Sequence, residues 1–170
     1  YDLAAIKMEV ARNSLPNIKF LMEVKDLAVK KKIVLIFDEC TSGFRRGLGG
    51  LHLQTNITPD MAMFGKALGN GYAITAVIGE AQIMNKAKNS FISSTFWSER
   101  SCFVAGNATI DFFRKNKPWV KLIKSGKYIN EKWLELSKKY DLPIKISGFE
   151  TITKFNFISQ NNQKYITYIT

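Results

Sequence analysis

Two side chains in this sequence have the types and settings that chemistry requires. Lys66 sits in Asp60-Met-Ala-Met-Phe-Gly-Lys-Ala-Leu-Gly-Asn-Gly71, with glycines on both sides of it. Asp38 follows the apolar run Ile33-Val-Leu-Ile-Phe37. A lysine amine can form an imine with an aldehyde. A carboxylate at a strand end can keep a ring nitrogen protonated through a charge-assisted hydrogen bond. Pyridoxal phosphate chemistry needs both groups. Each residue also has an ordinary explanation. Lys66 could be one more solvated lysine, and Asp38 could cap a helix or pair with a lysine. The flanking Gly65 and Gly69 favour close backbone approach at Lys66 over an exposed helix face.

The elements that must position these groups can be read from the pattern. Ala4 to Val10 reads as a strand. Asn17 is a plausible N-cap for a helix to about Lys31, with Phe20, Leu21, Val24, Leu27 and Ala28 on one face. The run at Ile33–Phe37 suits a strand buried on both faces, as in a parallel sheet. Ligands bind outside the carboxyl ends of such strands, where Asp38 stands. Gly47 to Pro59 reads as a loop, Asp60–Phe64 as a short strand leading into Lys66, and Ala73–Ile78 as the next strand. Helices are expected at Glu80–Ala87, from Ser98 through Phe113, and from Pro118 to about Tyr140. Gly126 should weaken or bend the last of these. Strands at Ile144–Ser147 and Thr151–Phe157 follow the break at Pro143. Helices and strands mixed in this way imply an α/β fold.

Four blocks carry a resemblance. Ile36-Phe-Asp38-Glu-Cys40-Thr41-Ser-Gly-Phe-Arg45 resembles the strand-end motif of class III pyridoxal-phosphate-dependent aminotransferases. Thr58-Pro-Asp60 through Gly71 is similar to that family's cofactor-lysine segment. Ala5-Ile-Lys-Met-Glu9 resembles the preceding strand, with Val10 where the family pattern has proline. Ser93-Ser-Thr95-Phe96 resembles the loop with a phosphate-binding threonine. The blocks occur in the family's order, and the resemblance covers the chain from about residue 4 to about residue 157. The Gly-Phe-Arg ending is most similar to the glutamate-1-semialdehyde aminomutase-like branch.

The resemblance implies a fold and a set of roles. The fold would be the major domain of a PLP-dependent transferase of the aspartate aminotransferase type, a mostly parallel sheet flanked by helices. Residues 1–142 would be part of that domain, and residues 143–170 the start of a small C-terminal domain. Lys66 would form the Schiff base with pyridoxal 5'-phosphate and then move the substrate proton. Asp38 would bind the pyridine nitrogen. Cys40 would pack on the ring face, where the family usually has valine. Thr41 stands where many members carry glutamine. Thr95 would bind the cofactor phosphate of a neighbouring subunit, which implies a homodimer. Glu9 and Glu39 would be structural hydrogen-bonding groups. The partners would be a small-molecule amino donor and a keto or aldehyde acceptor, in a cytoplasmic aminotransferase or aminomutase.

The family's phosphate-binding turn and ring-stacking aromatic lie upstream of the Ala4 strand. The chain is therefore expected to be a central fragment, unable by itself to complete the reaction. Composition fits a globular α/β protein, with a hydrophobic fraction of 46%. Cys40 and Cys102 offer neither a disulfide framework nor metal-ligand spacing, and His52, the single histidine, has no partner for a metal nearby. The net charge of +11 raises nucleic-acid binding as another function. That charge is mostly lysine spread along helix faces, and no zinc finger, aromatic RNA-binding signature or basic heptad accompanies it. An inactive interaction module is a third possibility, which the retention of Asp38 and Lys66 argues against.

Overall fold

The computed structural model describes residues 3–95 and 97–169. They form two compact units, residues 1–12 with 16–117 and residues 13–15 with 118–170. The division falls at 117/118.

The first unit is built on a four-stranded sheet in the order β1 (Ala5–Glu9), β2 (Val34–Asp38), β3 (Met61–Phe64), β4 (Ala76–Gly79). β1, β2 and β3 are parallel, and β4 runs antiparallel beside β3. The register sets Glu9 and Met63 on either side of Asp38. Side chains alternate across a strand, so Lys7, Glu9, Ile36, Asp38, Met61 and Met63 share one face.

The opposite face is the buried one. Leu35, Phe37, Ala62 and Phe64 point into it, and the first two are fully buried. Helix α1 (Ile18–Lys31) supplies Leu21 and Ala28 to the core. Its start is fixed by Asn17, whose side-chain oxygen accepts from Phe20 N–H at 3.1 Å. Its end is fixed by Lys32 in the left-handed region (φ 54°), with Lys30 and Lys31 in the last turn, where the helix dipole favours cations. β2 is therefore buried on one face and half-buried on the other, where the sequence suggested burial on both. An apolar run such as Ile33–Phe37 cannot report whether anything in the same chain covers its second face.

Beyond β2, the expected loop contains a 3-10 turn at Leu51–Gln54. A short helix α2 (Ala81–Met84) passes into a further 3-10 turn, Asn85–Asn89. Helix α3 (Arg100–Asn116) is capped by Glu99 in place of Ser98. The Glu99 carboxylate accepts from both the backbone N–H and the hydroxyl of Ser101, which satisfies one of the N–H groups left free at the helix start.

The second unit contains α4 (Trp119–Lys139), the antiparallel pair β5 (Ile144–Ser147) and β6 (Lys154–Phe157), and α5 (Asn162–Ile169). Edge-to-face rings join Trp133 to Phe155, Phe155 to Phe157 and Phe157 to Tyr165, at centroid separations of 4.9, 5.6 and 5.4 Å. Gly126 is buried within α4, against the backbone of the 3-10 turn Glu150–Ile152. α4 runs through it without interruption, so the glycine serves close approach and no break results.

Candidate active site

The carboxyl end of β2 and the turn after β3 bring three of the expected residues together, along with one that the motif left without a firm role. Asp38 is the last residue of β2. Its Oδ1 accepts from the Cys40 backbone N–H at 3.0 Å, an Asx-type turn that folds residues 38–40 back on the strand end. The other oxygen, Oδ2, lies 2.9 Å from Lys7 Nζ on β1. Burial alone would raise the Asp38 pKa. The Lys7 ammonium and the Cys40 N–H outweigh it and hold the carboxyl below its ordinary value. Asp38 is thus an ionised, partly exposed anion at the strand end.

Lys66 opens the 3-10 turn Lys66–Leu68 directly after β3 and Gly65. Its φ is 47°, the left-handed region that a non-glycine residue seldom occupies. Local strain of this kind tends to collect at functional positions. Two backbone donors, Gly69 N–H and Asn70 N–H, close on the Lys66 carbonyl at 3.1 and 3.0 Å and pin the conformation. The side chain is exposed, and its Nζ donates to Thr41 Oγ1 at 2.7 Å. Gly65 packs beside Cys40 and Thr75 at ordinary van der Waals distance. A Cβ there would stand 3.5 Å from Cys40 Sγ and 3.4 Å from Thr75 Cγ2.

Cys40 lies between the carboxylate and the amine. Burial, then the Asp38 carboxylate, push its thiol pKa up, while Lys66 and Lys7 pull the other way. A neutral thiol is a compact apolar group, suited to packing on a ring. Thr95 lies on an exposed turn, and the contacts that join Asp38, Cys40, Thr41 and Lys66 do not include it. Phe96, beside it in the motif, is outside the described residues. Thr75, whose methyl lies against Gly65, also borders a cleft of about 340 Å³ with Ser94, Trp97, Cys102 and Phe103.

Behind the strand end, Glu39 is fully buried. Its Oε1 accepts from the His52 backbone N–H and faces His52 Nδ1, both at 2.8 Å. Ser42 Oγ donates to Oε2. Burial would raise the Glu39 pKa, but these donors hold it below the ordinary glutamate value. His52 is buried in its 3-10 turn, so the loop from Cys40 to Gln54 is anchored at both ends by one carboxylate. Glu9 pairs with Arg12 at 3.6 Å.

Sequence reasoning did not single out Lys7. The available signal was a charged residue between the apolar Ile6 and Met8 of β1. The sequence leaves open the pairing of Asp38 with a lysine. The strand register makes Lys7 that lysine.

Comparison with known proteins gives these residues a setting. The model of the family described as aminotransferase class-III matches residues 13–170. A 3-aminobutyryl-CoA aminotransferase of Cloacimonas acidaminovorans is 33% identical over 139 residues, covering 81% of this chain and 34% of the relative. A glutamate-1-semialdehyde 2,1-aminomutase of Rhodopirellula baltica is 37% identical over 128 residues, covering 71% of this chain and 29% of the relative. The chain thus spans about a third of the length of the curated relatives it matches. Among solved structures, the FumI protein of Sphingopyxis sp. MTA144, in its PLP internal aldimine form, superposes with a TM-score of 0.90. It shares 23% identity, and the match covers 98% of this chain and 42% of that one. An omega-transaminase from Sphaerobacter thermophilus gives a TM-score of 0.76 at 23% identity, over 90% of this chain and 36% of that one. At those identities the likeness is one of fold, and it agrees with a mostly parallel sheet flanked by helices. Because that family model matches residues 13–170, a span that includes the strand-end carboxylate and the lysine turn, the chain belongs to the class III aminotransferases.

Proposed function

We propose that this chain carries the lysine and the ring-nitrogen carboxylate of a pyridoxal-phosphate-dependent enzyme that moves an amino group from an amino donor to a keto or aldehyde acceptor. The observation that carries the reading is the convergence of Lys66, Thr41, Cys40 and Asp38 at the ends of β2 and β3. The donor set fits the cofactor. An exposed amine is open to an aldehyde, an ionised carboxylate is open to a ring N–H, and a neutral thiol lies between them.

Pyridoxal phosphate, when bound, supplies the aldehyde and a ring that draws electrons from the substrate carbon. The protein's own residues do the rest. Asp38 holds the ring nitrogen's proton by a charge-assisted bond. Cys40 fills the ring face. The Thr41 hydroxyl accepts from the Lys66 ammonium and can rotate to donate to the neutral amine, so it can hold Lys66 in either protonation state. Lys66, once neutral, would move the proton between the substrate Cα and the cofactor's aldehyde-derived carbon.

Residues 1–142 belong in this reading to the cofactor-binding domain, and residues 143–170 open a small C-terminal domain. Thr95 serves the cofactor phosphate of a second subunit in a homodimer, a role consistent with its exposed turn. Among the described residues no helix is long and apolar enough to cross a membrane. A cytoplasmic setting is part of the same proposal.

The aminomutase alternative uses the same residues, and the Rhodopirellula baltica relative favours considering it. Product analysis separates the two. A required separate keto acid marks an aminotransferase, and isomerisation of one substrate marks an aminomutase. The reading as a whole is tested by borohydride trapping with pyridoxal phosphate, followed by peptide mapping. A dominant adduct on Lys66 is expected. Adducts scattered over many lysines, or none, would mean that this chain alone shapes no selective cofactor site, and the same outcome with the full-length protein would refute the reading.

A further inference from the structure

We propose that Lys7 is a positioning residue that shares the Asp38 carboxylate with the cofactor's ring nitrogen, and so sets how firmly that nitrogen holds its proton. The inference rests on the functional reading above and extends it to a residue on a different strand.

The geometry is specific. Lys7 is opposite Ile36 in the β1–β2 register, one step short of Asp38 on the same face. From there its Nζ reaches Asp38 Oδ2 at 2.9 Å, while Oδ1 is held by the Cys40 N–H. Both carboxylate oxygens therefore already have a donor. Asp38 still has lone pairs to offer, since a carboxylate has about four acceptor sites. A ring N–H arriving at the strand end must share an anion whose charge is partly neutralised by Lys7.

A second cation beside the same carboxylate acts in one direction. It weakens the pull of Asp38 on the ring proton and places a like charge near a pyridinium, so the nitrogen releases its proton to solvent more readily. The other charged or titratable groups around the site are Glu9 beside Asp38 on β1, Cys40 and Lys66. Glu9 partly offsets Lys7, but it is already paired with Arg12. Lys7 itself is held charged by Asp38, which raises its pKa. Its side chain is 54% exposed, so solvent screens the effect, which is a tuning and not a switch.

The experiment uses two variants and two readouts. Lys7→Met removes the charge and keeps the length, and Lys7→Arg keeps the charge. In the protein loaded with pyridoxal phosphate labelled with 15N in the ring, Lys7→Met should move the nitrogen resonance toward its protonated position and raise its pH midpoint. Lys7→Arg should match the parent. In the cofactor-free protein, the Asp38 side-chain carbon should titrate at higher pH in Lys7→Met than in the parent or Lys7→Arg. A ring resonance that stays the same in all three proteins, with the label attached at Lys66, overturns the inference and leaves the functional reading standing. A label attached elsewhere overturns the functional reading and the shared carboxylate with it. An Asp38 titration unmoved by Lys7→Met overturns the pairing directly, with or without cofactor.

Discussion

The Lys66 amine donates to the Thr41 hydroxyl across 2.7 Å, and so ties the turn after β3 to the turn after β2. The contact spans 25 residues of sequence. Thr41→Val keeps the shape and deletes the hydroxyl. The amine then samples more rotamers and loses its acceptor. Adduct formation at Lys66 with pyridoxal phosphate should slow by between about twofold and tenfold, the range of one hydrogen bond's net worth. Stopped-flow absorbance on the parent and variant measures it, and equal rates would show that Thr41 does not prepare the amine.

Asp38→Asn separates cofactor attachment from turnover. An amide cannot keep a ring nitrogen protonated as a carboxylate does, while Lys66 remains free to react. Borohydride should still trap the adduct on Lys66. In the full-length protein, amino-group transfer should fall by on the order of a hundredfold or more, as when an electrostatic stabiliser is removed from an active site. Unchanged turnover in the loaded variant would remove Asp38 from the mechanism.

How far the sequence exposed this arrangement depended on how local each signal was. Asn17 capping α1, and the two strands after Pro143, rest on neighbouring residues and were legible. The strand-end position of Asp38 and the turn at Lys66 came with the family-like motifs. The Lys7–Asp38 ion pair was not legible, because it depends on the register between two strands distant in sequence. The Glu39–His52 contact was hidden for the same reason. Glu39 was expected to brace the strand end and His52 to lie in a loop, but nothing local pairs them. The one-sided burial of β2 is a tertiary property that composition does not encode.

The buried Glu39 makes stability depend on acid in a defined direction. Its folded pKa lies below the ordinary 4.5 because His52 and Ser42 donate to the carboxylate. A lowered folded pKa means that its contribution is complete above the unfolded value, and is lost as pH falls from there through the folded value. Denaturant titrations of the parent should show stability declining across that acid window. Glu39→Gln should flatten this part of the profile. It should also be less stable at neutral pH by about 1–3 kcal/mol, since an amide cannot accept from all of the same donors. An identical acid slope in parent and variant would refute the assignment.

Gly126 gives the sharpest contrast between local and tertiary arguments. Helix propensity says that alanine at the middle of α4 should stabilise it by about 1 kcal/mol. Packing says the reverse. A Cβ at Gly126 would stand 1.7 Å from the Glu150 carbonyl oxygen and 2.5 Å from its carbon. Those are backbone atoms of the 3-10 turn that leads into β6, so no side-chain rotation can relieve the clash. Either α4 or the turn must move, at the cost typical of overpacking, about 1–3 kcal/mol or more. Packing should win. Gly126→Ala should lower the denaturation midpoint of the protein, and Gly126→Ser should do so at least as much. A rise in the midpoint would mean that α4 and the Glu150 turn are not held in contact in solution.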